Sequence, residues 1–137
     1  MNANIETIKK MDNFYCGQPA NKTDISIAEE ELSVVFAPEY KEYLLVFGTF
    51  EVSPHEITGI TSSKRINVIN VTKSLKEVNP QVPKNIYVVE DTGIDGIVIW
   101  QDENGIIYQS EPNKSPYKIA ESLFEYIKKQ IEELKKL

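Results

Sequence analysis

A chain of 137 residues, 41% of them hydrophobic, is long enough to bury roughly two thirds of its unfolded surface around one core. It holds one cysteine and one histidine, which excludes an internal disulfide and a structural zinc site built from about four such ligands. Its net charge of −6 works against a phosphate backbone as partner, so nucleic-acid binding is not expected.

At the start, Ile5, Ile8 and Met11 recur at helical spacing and predict an amphipathic helix. Ser26-Ile27-Ala28-Glu29 reads as a capping box, in which hydroxyl and carboxylate each take the other residue's amide, opening a short helix that ends near Val35. Pro38 at a first helical position predicts a helix over 38–47 that buries Tyr40, Tyr43, Leu44 and Phe47 on one face. Gly48 supplies its left-handed stop. A strand region then reaches Ile57.

From Ile86 to Glu111 three β-type runs are separated by turn signals. Thr92-Gly93 and Asp95-Gly96 turn the chain back, and Asn104-Gly105 predicts a type I′ hairpin, which needs two positive-φ residues. Three antiparallel strands follow. The middle run, Ile97 to Trp100, is apolar on both faces and predicts a strand covered on both sides. Ser122-Leu123-Phe124-Glu125 repeats the capping box, and Leu123, Ile127, Ile131 and Leu134 form the stripe of a closing helix that runs almost to Leu137.

Charge is unevenly distributed along this order. Residues 24–56 carry eight acids against Lys41, and 86–111 carry six acids and no base, while 57–85 hold five bases and Glu77. Two acidic blocks flank a modestly basic one, an arrangement that would attract and steer a basic protein.

Little supports chemistry on this chain. Nucleophilic catalysis of the Ser-His or Cys-His kind needs an imidazole, and the only one, His55, lies beside Pro54, where a solvated loop histidine is the simpler reading. Asp102-Glu103-Asn104-Gly105 departs from a calcium loop, because Gly105 falls too early and Ile106 stands where an oxygen ligand is needed. No glycine-rich phosphate loop or dinucleotide fingerprint is present. No metal or cofactor is expected.

The run Pro38-Glu-Tyr40-Lys-Glu-Tyr43-Leu44-Leu-Val-Phe-Gly48, the strand region to Ile57-Thr-Gly59, the Gly96 to Tyr108 hairpin and the closing Ala120 to Ile127 together resemble the SUKH superfamily. That superfamily groups bacterial immunity proteins with fungal regulators of cell-wall synthesis. Pro38, Tyr40, Leu44, Gly48, Gly96, Gly105, Ser122 and Phe124 match positions that shape its fold. Phe36-Ala37-Pro38 stands where Leu-Pro is common, and Phe47-Gly48-Thr49 where Asn-Gly-Gly is common. The resemblance implies an α+β fold, a mixed or antiparallel sheet flanked by helices, and a protein that works by binding another protein.

Resemblance and charge together make the chain an expected immunity protein, one that occludes a basic, nuclease-like toxin domain. The alternative is a regulatory module with a resident cell protein as partner. The first residues, MNANIETIKKMDN, lack an apolar leader core, and no run approaches the ~18 apolar residues of a membrane span, so a cytoplasmic protein of one domain, 1–137, is expected. The expected contact residues are Asp91, Asp95, Asp102 and Glu103 on the turns, and Glu51 and Glu56 on the preceding loop. Trp100 is the expected aromatic anchor beside them.

Overall fold

The computed structural model of the chain describes residues 3–136. Its elements run α1 (Ala3–Lys9), β1 (Phe14–Cys16), α2 (Lys22–Leu32), α3 (Pro38–Phe47), β2 (Phe50–Val52), β3 (His55–Ile57), α4 (Val68–Val78), β4 (Tyr87–Asp91), β5 (Val98–Gln101), β6 (Ile107–Ser110), β7 (Tyr117–Ala120) and α5 (Leu123–Lys135). The strands form two antiparallel sheets, ordered β1-β2-β3 and β4-β5-β6-β7. This is the α+β architecture that the resemblance implies, with the strands divided between two sheets.

Helix α3 occupies the predicted span, with Pro38 in its first turn and Tyr40, Tyr43, Leu44 and Phe47 buried. At Gly48 the backbone takes φ 71° and ψ −65°, so φ is positive but the residue lies outside the left-handed helical region. Helix α2 starts earlier than the capping box suggests: Asn21 is its cap, and the Asn21 side chain accepts the Asp24 N–H at 2.8 Å. Ser26 lies inside the helix, and the Glu29 carboxylate accepts the Phe36 N–H at 2.8 Å instead. Ser33, in the left-handed conformation, ends α2 after Leu32.

Ser122 does cap α5, accepting the Glu125 N–H at 3.1 Å. The reciprocal half of the box is displaced by one residue, since the Glu125 carboxylate takes the Glu121 N–H at 3.4 Å. Helix α5 is described to Lys135, and Leu137 lies outside the described residues.

The hairpin between β5 and β6 is wider than a two-residue turn. Gly105 N–H donates to the Asp102 carbonyl at 3.0 Å and Asp102 N–H to the Ile106 carbonyl at 3.1 Å. Gly105, at φ 91°, is the one positive-φ residue of this loop, and Asn104 is not one, so the type I′ expectation gives way to the three-residue loop with a single glycine in that role. The Asp102 side chain holds this loop by accepting the N–H groups of Asn104 and Ile106.

Strands β4 and β5 are covered on both faces, as the apolar run in β5 predicts. Tyr87, Val89 and Ile99 join the main core with residues of α1, α2, α3 and α5. Val88, Val98 and Trp100 join a smaller one with Val71 of α4, Val82 and Ile86. The β4–β5 register shifts between Val88 and Glu90, a bulge at Val89. The freed Val89 carbonyl accepts the Thr58 N–H at 2.9 Å, and Thr58 Oγ1 donates to the Val88 carbonyl at 2.7 Å, so the two sheets meet at the end of β3. Tyr40 O–H donates to the Thr58 carbonyl at 3.0 Å from α3.

Candidate protein-binding surface

Antiparallel register places Tyr15 opposite Glu51, and Glu51 opposite Glu56, across β1, β2 and β3. Side chains alternate along a strand. Phe50, Val52 and Ile57 therefore enter the core while Tyr15, Glu51 and Glu56 form one row on the outer face. Glu51 and Glu56 thus stand on paired strands, and are not loop residues as expected. Tyr15, 61% exposed on the outermost strand, is the large aromatic of this row.

Like charges directly opposite one another destabilise a sheet. Glu56 is relieved by Arg65, whose two guanidinium nitrogens donate to its two oxygens at 2.9 and 2.7 Å. These bonds hold the Glu56 carboxyl below its usual range. Glu51 accepts a hydrogen bond from the Ser53 hydroxyl; it makes no salt bridge among the described residues, although the charge of Arg65, whose nitrogens are bound to Glu56, also reaches it. Tyr15, Gly17, Glu51, Glu56 and Ile66 line a cleft of about 200 Å³ here. Asp91 borders a neighbouring cleft with Lys64 and Arg65. Asp95 is exposed on the loop that follows, in a positive-φ conformation at 52°.

The remaining expected residues lie elsewhere. The loop carrying Asp91 and Asp95 precedes β5, and the loop carrying Asp102 and Glu103 follows it, so an antiparallel strand sets the two pairs at opposite ends of the sheet. Glu103 is exposed beside Glu29, Val34 and Asn85. Asp102 is buried at 8% exposure and also accepts the Tyr108 O–H at 3.0 Å. Burial, then this bond, raises the Tyr108 phenol above its ordinary value. Trp100 is wholly buried, its indole N–H donating to Ser110 Oγ at 2.8 Å, so it is a core residue and not the surface anchor expected. The acids are thus divided between two sides, and the exposed aromatic beside them is Tyr15. The alternation Phe14 inward, Tyr15 outward was the available signal.

His55 is likewise no solvated loop residue. It begins β3, and its Nδ1 lies 2.9 Å from Glu90 Oε2, while the Tyr126 O–H donates to Glu90 Oε1 at 2.5 Å. Glu90 is buried, and burial followed by the charge of Glu90 pushes the Tyr126 phenol far up. This cluster ties α5 to both sheets. Among the described residues no group of three or more His, Cys, Asp or Glu side chains is placed to hold a metal ion, and no helix is long and apolar enough to cross a membrane.

The five helices and two antiparallel sheets of the described residues make one α+β domain, and Tyr15, Glu51 and Glu56 form a row on the outer face of the smaller sheet. The SMI1-KNR4 cell-wall family model of the SUKH superfamily matches residues 1–132, and the chain belongs to this family. Members are generally non-catalytic proteins with immunity or regulatory roles. None of the curated proteins compared with the chain matches it.

Proposed function

We propose that the chain is a cytoplasmic immunity protein that binds and neutralises a cognate toxin domain, basic and nuclease-like, through the face centred on Tyr15, Glu51 and Glu56, with Asp91 and Asp95 beside it. The observation that carries this reading is the Glu51–Glu56 cross-strand pair, which has one arginine for two carboxylates next to an exposed aromatic. An incoming lysine or arginine would relieve the repulsion. Tyrosine supplies contact area at low entropic cost, and acids around it raise the association rate. Asp102, Glu103 and Trp100 fall outside this face.

The test is growth rescue on co-expression with the toxin domain encoded beside the chain's own gene. Wild-type protein is expected to protect. Glu51→Lys with Glu56→Lys should lose protection and slow association by about tenfold at low salt, and undiminished protection removes this face from the interface. The cell-wall description of the matched family favours a second reading, a non-enzymatic regulatory or scaffold module for a resident cell protein. Failure of the wild-type chain to protect supports that one.

A further inference from the structure

The cleft between the β5–β6 hairpin and the segments around Pro83 and Pro116 has a volume of about 280 Å³ and is lined by Asp102 and Tyr108. Asp102 is the only charged residue in its lining. The three groups that donate to this carboxylate, the N–H of Asn104, the N–H of Ile106 and the O–H of Tyr108, are all neutral. No lysine or arginine forms a salt bridge with it among the described residues: Lys114 pairs with Glu111 and Lys76 donates to the Lys84 carbonyl, while the Lys84 side chain, between Pro83 and Asn85, is exposed and makes no ion pair with Asp102. A buried carboxylate held by neutral donors alone projects an uncompensated negative field into the space it lines.

The rest of the lining suits a flat cation better than a compact one. Pro83, Pro116 and the Tyr108 ring provide apolar walls against which a planar guanidinium can stack. Gln81 donates its amide N–H groups to the Lys114 carbonyl and to Asn79 Oδ1, which leaves its own carbonyl oxygen as an acceptor. Ser115 and Asn85 add further acceptors at the mouth, and Asn85 also borders the neighbouring cleft of Glu29 and Glu103. A guanidinium has five N–H donors and no acceptor, matching a lining of one carboxylate and several neutral oxygens.

We propose that this cleft is a socket for an arginine side chain of a protein partner, a second anchoring point at the end of the larger sheet away from Asp91 and Asp95. The proposal rests on the reading of the chain as a protein binder, but its occupancy can be measured without the partner. The probe is a short peptide with one arginine flanked by glycines and capped at both ends, titrated into isotope-labelled protein and followed by NMR, beside its lysine counterpart.

The expected result is a saturable shift of the Ile86, Tyr108 and Ser115 amides, at least several-fold weaker for the lysine peptide and lost in Asp102→Asn. Because Asp102 also shapes the hairpin, Ser115→Arg is the second variant. It places a tethered guanidinium at the mouth without touching the hairpin, and should abolish the shifts. Shifts that persist in Ser115→Arg, that gather around Tyr15 and Glu51, or that fail to appear overturn the socket. The growth-rescue assay judges the immunity reading separately.

Discussion

The carboxylate of Glu39, in the first turn of α3, accepts the backbone N–H of Leu123 at 2.8 Å, across 84 residues of chain. It also takes the Phe124 N–H at 2.9 Å and the Gln101 side-chain amide at 2.9 Å. Glu39 thus takes two of the open N–H groups of α5, beside the one that Ser122 takes, and complements the helix dipole. Replacing Glu39 by Ala should cost about 2–4 kcal/mol, the loss of a cap plus unmet buried donors. Glu39→Gln, which keeps one acceptor oxygen, should cost less. Urea unfolding of the two variants checks the order.

Tyr126→Phe removes the phenol that donates to buried Glu90 and leaves His55 as its remaining side-chain partner. Hydrogen bonds to a charged group are worth about 1.5–3 kcal/mol, and a loss of that size is expected. A loss below about 0.5 kcal/mol in denaturant unfolding would show that solvent replaces the phenol.

Stability should fall in alkali. Burial pushes the phenols of Tyr40, Tyr43, Tyr87 and Tyr126 above their ordinary value, with Glu39 adding to the shift at Tyr43 and Glu90 at Tyr126. In the unfolded chain these groups lose their protons near pH ~10. Above that pH the unfolded state binds fewer protons than the folded one, so the unfolding free energy decreases as pH rises, while below it the contribution is complete. Unfolding followed against pH, with tyrosinate absorbance as a second probe, should show these phenols ionising together with loss of structure.

Two glycines should respond differently to the same added methyl group. A Cβ on Gly59 would stand 1.8 Å from the Gly48 carbonyl oxygen, a backbone atom with no room to yield. Gly59→Ala should cost about 3 kcal/mol or prevent folding. Gly93 has open space around its Cβ position and a φ of 69°, so Gly93→Ala should cost only about 1–2 kcal/mol of backbone strain. Thermal unfolding of the pair separates steric from conformational cost.

Trp100→Phe should lower stability by about 1–3 kcal/mol, through lost volume and an unmet Ser110 hydroxyl. Partner association should be unchanged once folding is complete, because the indole is wholly buried. Association rates of the variant measure this directly.

What the sequence made legible followed the range of the forces involved. Helix α3 could be placed to the residue because Pro38 and Gly48 punctuate it locally. The start of α2 could not, since Asn21 and Ser26 are both competent caps and tertiary demand for Glu29, at the Phe36 N–H, decides between them. Helix α4 has a local signal of its own: the Asn67 cap, then Val68, Val71, Thr72 and Leu75 at helical spacing. Strands β1 to β3 have three residues each, too short for periodicity, and exist through pairings distant in sequence.

The acidic surface depends on strand direction more than on sequence distance. Asp95 and Asp102 are close in sequence, yet β5 carries the chain across the whole sheet between them. Glu51 and Glu56 are joined by a tight turn that places them face to face. Proximity along the chain therefore misled for one pair and held for the other, and only strand direction distinguishes them.

The bulge at Val89 is a single displaced residue, yet through it β3 borrows a carbonyl that an unbroken ladder would have kept within its own sheet. The smaller sheet consequently has no separate existence: it is sewn to the larger one by Thr58, with Tyr40 of α3 fastened to the same stitch. A molecule made this way should come apart in one piece, and the face bearing Tyr15 should stay in shape for as long as anything is folded.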